Sequence, residues 1–416
     1  MYKASVFFIS LVVYAAFSTP TPDGPGWAEL AVACGLMLAV GVQGGVQAAG
    51  FSPADSAAKP RWMPWARFAL LWGLSVPLIS AFAAGHPSLL IVRDVIPFLF
   101  LLLPLFLPAS LLEGTKAGRL MPWVLCLMGL IFVVRVLGVF VATAGHPDFA
   151  IGFVPDSDNL VNAPTVLFAA LFLTGYGGYR LIHATTARSF VMALTAFVAA
   201  LFLLAGMAAI GQRAHIGAWA LACLIWLAIL LVRQPRALGR LLPLILVAAV
   251  FMWPVAFDIV QGLMQKTSVV GLNNRAEEVR IVWDSFQGRP WALLFGQGWG
   301  ATIISPAVGP FPVNYTHNLM TTYLLKTGIF GLILILSYLF WIAAGIWRIL
   351  WVQPVAAVAL AAPFLIDLTL YASFKSLDFG LLLVLTTLWT RWPAGARESC
   401  QKTPGWCMQD HNHSSG

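Results

Sequence analysis

Basic side chains that can bind phosphate or accept protons are concentrated in one polar stretch, residues 273–331. A guanidinium stays charged and can bind two phosphate oxygens at once. An imidazole titrates near neutral pH and can take a proton from a hydroxyl group. This combination predicts a site that binds phosphate and performs base catalysis, with the histidine as the base. The side chains concerned are Arg275, Arg280, Arg289 and His317.

Another arginine that could bind phosphate is Arg213, in the sequence GQRAHIGAW (211–219) between two apolar runs. Gly211 and Gly217 flank it and allow another backbone or a ligand to approach closely. The guanidinium would then be offered to a phosphate or pyrophosphate group. The alternative is a turn arginine that reaches out to lipid headgroups.

The segment NNRAEEVRIVWDSF (273–286) predicts a helix that is capped by one of its two asparagines. Spacings of three and four residues place Arg275 beside Glu278 and Arg280 beside Asp284. Either arginine could therefore be a phosphate ligand or only a local ion-pair partner. We expect Arg275 to pair with Glu278 and Arg280 to bind phosphate. One face is apolar, so the helix is expected to lie along a membrane surface; its residues are Val279, Val282, Trp283 and Phe286.

Neighbouring residues could complete such a site. The cluster GQGWG (296–300) could bring the backbone N–H groups of Gly296 and Gly298 near a phosphate, although a plain turn explains the glycines equally well. Asn318 follows His317 directly and could orient its ring. These residues are expected to contact the substrate, while the histidine and the arginines act on the reacting groups.

The rest of the chain must position this stretch, and it is strongly apolar. Of the 416 residues, 60% are hydrophobic and only 10% are charged, whereas a soluble domain carries roughly a quarter charged residues. Apolar runs of about 20 residues recur, which is the length that a helix needs to cross a bilayer. Strands are not expected, because continuous apolar runs dominate over alternating ones. The sequence therefore predicts an all-α polytopic membrane protein.

About twelve transmembrane helices are predicted. Residues 1–392 form one transmembrane domain, in which a helical loop, 261–317, lies between spans 9 and 10 and carries the site. Residues 393–416 form a cytoplasmic tail. The predicted spans are roughly 4–18, 27–49, 65–84, 89–112, 121–144, 161–182, 189–211, 214–232, 238–260, 318–343, 354–373 and 377–392.

The charge pattern orients these spans. The formal net charge is +8, and the basic residues recur in every second loop, which places those loops and both termini in the cytoplasm. Nucleic-acid binding is not needed to explain the charge. A few basic residues fall on the outer side, against this bias, and charge in such places indicates function. They are Arg213, Arg275, Arg280, Arg289, His317 and Lys375.

The order of these motifs resembles the O-antigen ligase and O-antigen polymerase superfamily of bacterial inner-membrane glycosyltransferases. A glycine-flanked arginine turn is followed by an N-N…R-x-x-W helix, a G-x-G cluster, and an H-N pair that opens a helix with a G-hydrophobic-hydrophobic-G motif. The likeness covers about residues 205–335 by motif and the remainder only by hydropathy. Lys326 departs from the pattern, because related sequences often carry an acidic residue there.

The resemblance, closest to the ligases, implies a GT-C-like membrane fold and a metal-independent, inverting glycosyl transfer. The donor is a glycan on undecaprenyl pyrophosphate, and the ligase acceptor is a sugar hydroxyl of the lipid A-core oligosaccharide at the periplasmic face. In this reading His317 is the base, with His86 and His146 as rivals, and Arg213 and Arg280 stabilise the leaving group. The residues expected to bind substrate are Arg275, Asn318, Arg289, Gly296 and Gly298.

Two other functions remain open. An O-antigen polymerase uses the same donor but accepts a second lipid-linked glycan, and such enzymes often carry two long periplasmic loops where this chain has one. A lipid-glycan transporter would place charges deep in several spans, and the candidates for that are Arg93, Asp94, Arg135 and Asp367.

No metal or cofactor is predicted. Asp156 and Asp158 resemble the paired-carboxylate metal motif of many glycosyltransferases, but such triplets are frequent by chance in acidic loops. Cys400 and Cys407 lie in the tail at a spacing that matches no standard zinc finger. The expected partners are therefore the lipid-linked donor, the lipid A-core acceptor and the membrane lipids.

Overall fold

The computed structural model describes residues 2–20, 26–50, 60–107, 109–112, 116–143, 157–236, 238–239, 257, 261, 264, 275–306, 309 and 311–391. Predicted span 238–260 lies almost entirely outside these residues, as do most of loop 145–160 and the tail. The helices are α1 (Tyr2–Phe17), α2 (Trp27–Ala49), α3 (Met63–Gly73), α4 (Val76–Ala83), α5 (Ser88–Leu101), α6 (Leu103–Phe106), α7 (Ala109–Leu112), α8 (Lys116–Thr143), α9 (Ser157–Val161), α10 (Pro164–Ile182), α11 (Ala187–Ala209), α12 (Arg213–Arg233), α13 (Arg275–Asp284), α14 (Pro290–Phe295), α15 (Leu319–Val352), α16 (Pro354–Thr369) and α17 (Leu377–Thr390).

The described part of the chain has seven helical segments that are long and apolar enough to cross a membrane, one of which, Met63–Ala83, is α3 and α4 taken together. Three shorter apolar helices, α1, α16 and α17, coincide with further predicted spans. The chain is an all-α, multi-pass membrane protein, as predicted. One small exception is a two-stranded antiparallel hairpin, in which β1 (Ile303–Ile304) pairs with β2 (Pro312–Val313). The prediction that strands are absent is wrong at this point, because a loop outside the apolar helices can pair its own backbone.

Prolines interrupt two of the predicted spans. The run 65–84 is divided into α3 and α4, and Pro77 stands in the first turn of α4. The run 89–112 is divided into α5, α6 and α7, with Pro104 in the first turn of α6. Proline lacks the N–H that would continue the preceding helix. The breaks therefore leave backbone groups free to bind other segments.

Trp299 occupies the break between α3 and α4. Its indole N–H donates to the carbonyl of Gly73 (2.7 Å), which is four residues before Pro77 and cannot receive a helical hydrogen bond from it. The backbone N–H of Trp299 donates to the carbonyl of Pro77 (3.2 Å). The side chain is buried. The proline break between α3 and α4 therefore anchors the polar segment that follows α14.

A second anchor is the kink of α15 at Gly328, whose φ of +67° is outside the helical range. The kink frees carbonyls one turn earlier. Those of Leu325 and Lys326 accept the backbone N–H groups of Gln297 (2.8 Å) and Gly298 (3.1 Å). A Cβ on Gly328 would lie 2.3 Å from the carbonyl oxygen of Leu294. The two glycine motifs of the sequence thus fit against each other by close backbone approach.

This contact predicts a large loss of stability for Gly328→Ala. The substitution puts alanine in a backbone conformation (φ +67°, ψ −174°) that essentially only glycine adopts, which costs about 1–3 kcal/mol. It also creates an overlap with the backbone of Leu294. Gly288→Ala is the matched control, because Gly288 has a similar φ of +71° but open space around its Cβ position. In denaturant unfolding in detergent, followed by tryptophan fluorescence, Gly328→Ala should lose at least about 2 kcal/mol more than the control. Equal losses would contradict the close contact.

Candidate functional site

Several turns meet at one end of the helix bundle. The turn between α16 and α17 contacts the start of α12, because the Tyr371 hydroxyl donates to Oε1 of Gln212 (3.1 Å). It also contacts the polar segment, because Nζ of Lys375 donates to the carbonyl of Asn314 (3.3 Å). Residues that were predicted on the outer side therefore share one end of the molecule: Arg213, Arg275, His317 and Lys375.

His317 is held by a glutamate from α13. The ring nitrogen Nδ1 of His317 lies 3.2 Å from Oε1 of Glu278, and the backbone N–H of His317 donates to Oε2 (2.9 Å). The hydroxyl of Ser305 also donates to Oε1. Glu278 is buried, whereas the side chain of His317 remains 24% exposed. The ring is therefore fixed from one side and accessible from the other.

The protonation of this pair follows from its contacts. Burial raises the pKa of Glu278, but hydrogen bonds from the His317 ring, the Ser305 hydroxyl and the His317 backbone outweigh burial and leave the pKa below its usual range. Glu278 is thus ionised at neutral pH and can only accept hydrogen bonds. Nδ1 of the neutral imidazole must then carry the proton, so Nε2 has the free lone pair. The stability that the ionised carboxylate contributes is present at neutral pH and is lost as the pH falls through the lowered pKa.

Glu278 has a role that the sequence did not predict. The expected ion pair between Arg275 and Glu278 is wrong, because His317 and Ser305 occupy the carboxylate. The expected orienting role of Asn318 is also wrong, because its side chain accepts the N–H of Met320 (2.7 Å) and caps α15. Glu278 and His317 are 39 residues apart, and no local spacing rule indicates their contact.

On the expectation that His317 is a base, the geometry predicts that Glu278→Gln slows its reaction. An amide cannot keep the imidazole in the same tautomer as strongly as a carboxylate does, so we expect about a 100-fold lower kcat. Glu277→Gln is the matched control, because Glu277 is exposed and pairs only loosely with Arg280 (3.6 Å) on the same helix. The measurement is the steady-state kinetics of the glycosyl transfer that the sequence resemblance implies, on variants that elute and melt like the wild type. Equal kcat values for the two variants would contradict a positioning role of Glu278.

Arg275 and Arg280 lie on different faces of α13. The side chain of Arg280 is 70% exposed and makes ion pairs with Glu277 and Asp284 (3.7 Å). The guanidinium of Arg275 instead lies over the ring of Tyr371, 5.6 Å from its centroid. Nε of Arg275 is buried and has no hydrogen-bond partner among the residues that the structure describes. An interior donor of this kind needs an acceptor, and a phosphate oxygen would provide one.

Tyr371 joins Arg275 to the start of α12. Its ring stacks on that of His215 (centroids 5.2 Å apart, 16° between planes), which is fully buried in the first turns of α12. Arg213 begins the same helix, next to the buried Gln212. The predicted turn GQRAHIGAW is therefore a helix start, with Gly211 at a φ of +70° and Gly217 within the helix. Arg213 and Arg275 are brought to the same end of the bundle through Tyr371.

A buried ion pair supports this end. Lys326 of α15 contacts Oδ2 of Asp94 at 2.6 Å and also donates to the carbonyl of Ala301. Asp94 further accepts the N–H of Gly300 (2.7 Å) and the side-chain amide of Asn314 (3.1 Å). One carboxylate thus ties α5, α15 and both sides of the hairpin together. This contact gives Lys326 a structural role.

Other predicted residues are arranged differently from expectation. The N–H groups of Gly296 and Gly298 donate to the carbonyls of Ala292 and Lys326, so they do not point to a phosphate. Arg289 is exposed at the start of α14. The ring of His86 contacts the carbonyl of Trp299 (2.8 Å) and is part of the anchor. The two glycines therefore have a packing role that the phosphate-binding expectation missed.

The predicted apolar face of α13 is only partly correct. Val282 and Phe286 are buried, but Val279 and Trp283 are exposed, and Glu278 faces inward in their place. α13 presents Glu278 to His317 and Ser305, which form hydrogen bonds with its carboxylate. Hydropathy alone does not predict this orientation of the helix. The side chains of Asp156 and Asp158 and the ring of His146 lie outside the described residues.

A comparison of the sequence with protein-family models finds no matching family, and a comparison with curated proteins finds no match either. The functional proposal therefore depends on the order of the sequence motifs and on the geometry of this site.

Proposed function

We propose that this protein is an O-antigen ligase. It would transfer an O-polysaccharide from undecaprenyl pyrophosphate to a sugar hydroxyl of the lipid A-core oligosaccharide, without a metal and with inversion at the anomeric carbon. It would act in a bacterial inner membrane, with the site facing the periplasm. The observation that carries the proposal is the contact between Glu278 and His317, at the end of the bundle that also holds Arg213 and Arg275.

The chemistry assigns one task to each group. The acceptor oxygen forms a bond to the anomeric carbon of the donor while the bond from that carbon to the pyrophosphate oxygen breaks. Nε2 of His317 takes the hydroxyl proton, and Glu278 stabilises the imidazolium that results. The leaving pyrophosphate keeps the bonding electron pair, so its negative charge grows in the transition state.

Arginines are suited to that growing charge. A guanidinium in a partly dehydrated position stabilises a phosphate oxygen more strongly than an exposed one does. Arg275 fits this requirement, because its Nε is buried and has no acceptor in the described part of the chain. Arg213 begins α12 next to Gln212, which accepts a hydrogen bond from Tyr371, the residue beneath the Arg275 guanidinium. Arg280 is largely exposed, so we assign it no part in the reaction.

The proposal is tested by a transfer assay with purified protein in lipid nanodiscs. The donor is an undecaprenyl-pyrophosphate-linked glycan, and the acceptor is either lipid A-core or a second lipid-linked glycan. We expect product only with lipid A-core, and the same yield when a chelator is present. Elongated lipid-linked glycan would instead identify a polymerase. Absence of transfer to either acceptor, from protein that is folded, would refute both assignments.

A further inference from the structure

Lys375 is a largely buried cation to which the proposed reaction gives no role. It ends the short 3-10 turn Ala372–Lys375 between α16 and α17. Its side chain is 10% exposed. The ammonium nitrogen lies 3.3 Å from the carbonyl oxygen of Asn314 and 3.6 Å from Oδ1 of Asp94. It also lies over the ring of Tyr315, 5.2 Å from the centroid.

The charges around Lys375 do not balance. Asp94 is already paired with Lys326 at 2.6 Å and accepts two further hydrogen bonds, from Gly300 and Asn314. The 3.6 Å separation from Lys375 is longer than a hydrogen bond. Two ammonium groups thus share one carboxylate in a buried place. Burying a charge without full compensation costs free energy. The ion pair between Asp94 and Lys326 is complete without Lys375, so it does not explain why a second lysine lies here.

The position of Lys375 relates it to the base. Tyr315 contacts both residues. Its ring centroid lies 6.0 Å from that of His317 and 5.2 Å from the ammonium nitrogen of Lys375. Burial and the charge of Glu278 raise the pKa of Tyr315, so the ring stays a neutral phenol at neutral pH. Tyr315 therefore separates the proton-accepting group from the cation without neutralising either of them.

We propose that Lys375 binds a phosphate oxygen of the lipid-linked donor and so acts as a further substrate-binding cation beside Arg275 and Arg213. This inference depends on the proposed function. The anion would compensate the second ammonium group, which the protein itself leaves only partly paired. The acceptor sugar would then lie on the His317 side of Tyr315 and the pyrophosphate on the Lys375 side.

The groups that face Lys375 define its pH dependence. They are Arg93 and Asp94 from α5, Lys326 from α15, and Tyr315 from the polar segment. Burial lowers the pKa of Lys375 to about 8. The charge of Asp94 acts to raise this pKa, whereas the positive charges of Lys326 and Arg93 lower it further. The cationic form is present below that pH and is lost above it. Donor binding should therefore weaken as the pH rises through about 8.

Binding measurements on the full chain in detergent test the proposal. The probe is undecaprenyl pyrophosphate, and undecaprenol, which lacks the phosphates, reports binding of the lipid chain alone. Lys375→Met should weaken pyrophosphate binding roughly 10- to 100-fold, the range expected for a lost hydrogen bond to a charged group. Undecaprenol binding and the KM for lipid A-core should not change. Lys116→Met, an exposed lysine at the start of α8, is the control and should bind like the wild type.

A second variant separates binding from folding. Lys375→Arg keeps a cation that does not titrate, so it should retain binding and remove the loss near pH 8. Lys375→Met should melt at or above the wild-type temperature, because Asp94 keeps Lys326 as its partner. A Lys375→Met variant that binds the probe like the wild type overturns this inference alone. A wild-type protein that does not bind the probe overturns the proposed function itself.

Discussion

Replacing His317 by alanine is expected to slow glycan transfer by about 100- to 10000-fold, the usual cost of losing a general base. Binding of undecaprenyl pyrophosphate should stay near the wild-type value, because recognition of the phosphates depends on the cations. His317→Gln should fail as well, since an amide can hold the acceptor hydroxyl but cannot take its proton. The measurements are single-turnover transfer rates and probe binding on the same preparations.

The pH profile gives an independent test of His317. Nε2 must be unprotonated to accept the hydroxyl proton, so transfer should fall as the pH decreases and the imidazole becomes charged. Glu278 keeps its negative charge at neutral pH because its pKa is lowered, so protonation of this carboxylate does not cause the loss. His86→Ala is the control, because His86 is the rival base at the same end and binds Trp299 instead. Near-normal turnover of His317→Gln would show that the ring only positions the acceptor.

The two arginines of α13 are expected to differ strongly. Arg275→Ala should reduce kcat by about 100- to 1000-fold, the range for removing one electrostatic donor from a transition state. Arg280→Ala should change it by less than about twofold, because exposed ion pairs contribute little. This ranking reverses the one that the sequence suggested. The reason is the helix face: Arg275 faces Tyr371, whereas Arg280 faces away from the bundle.

These variants form a matched pair, because each removes one guanidinium from the same ten-residue helix. Arg275→Lys should recover little activity, since lysine keeps the charge but not the planar fork. Arg213→Ala is expected to behave like Arg275→Ala. Thermal melting of each variant shows that it is folded. If Arg280→Ala were the inactive one, the donor would have to bind on the outer face of α13, and the site as described here would be wrong.

Local sequence patterns determined the membrane architecture. Apolar runs long enough for a bilayer produce helices at nearly all the predicted positions within the described residues, because each helix satisfies its own backbone hydrogen bonds. The grouping of Arg213, Arg275, His317 and Lys375 also followed from sequence, since alternation of the spans places these residues at one end. The helix breaks at the prolines and at Gly328 follow from the type of the local residues. The sequence does not show which groups bind the backbone atoms that these breaks leave free.

Only the tertiary structure decided which side chains act together. Glu278 was expected to pair with a neighbour three residues away, yet it binds His317 from 39 residues further along the chain. Asp94, Lys326 and Lys375 come from three distant segments and meet around one carboxylate. Helical spacing offers several equivalent partners to each charged residue, and the choice among them depends on burial. A buried carboxylate must be satisfied by whatever donors the packed helices bring to it, and that packing is not encoded in any local pattern.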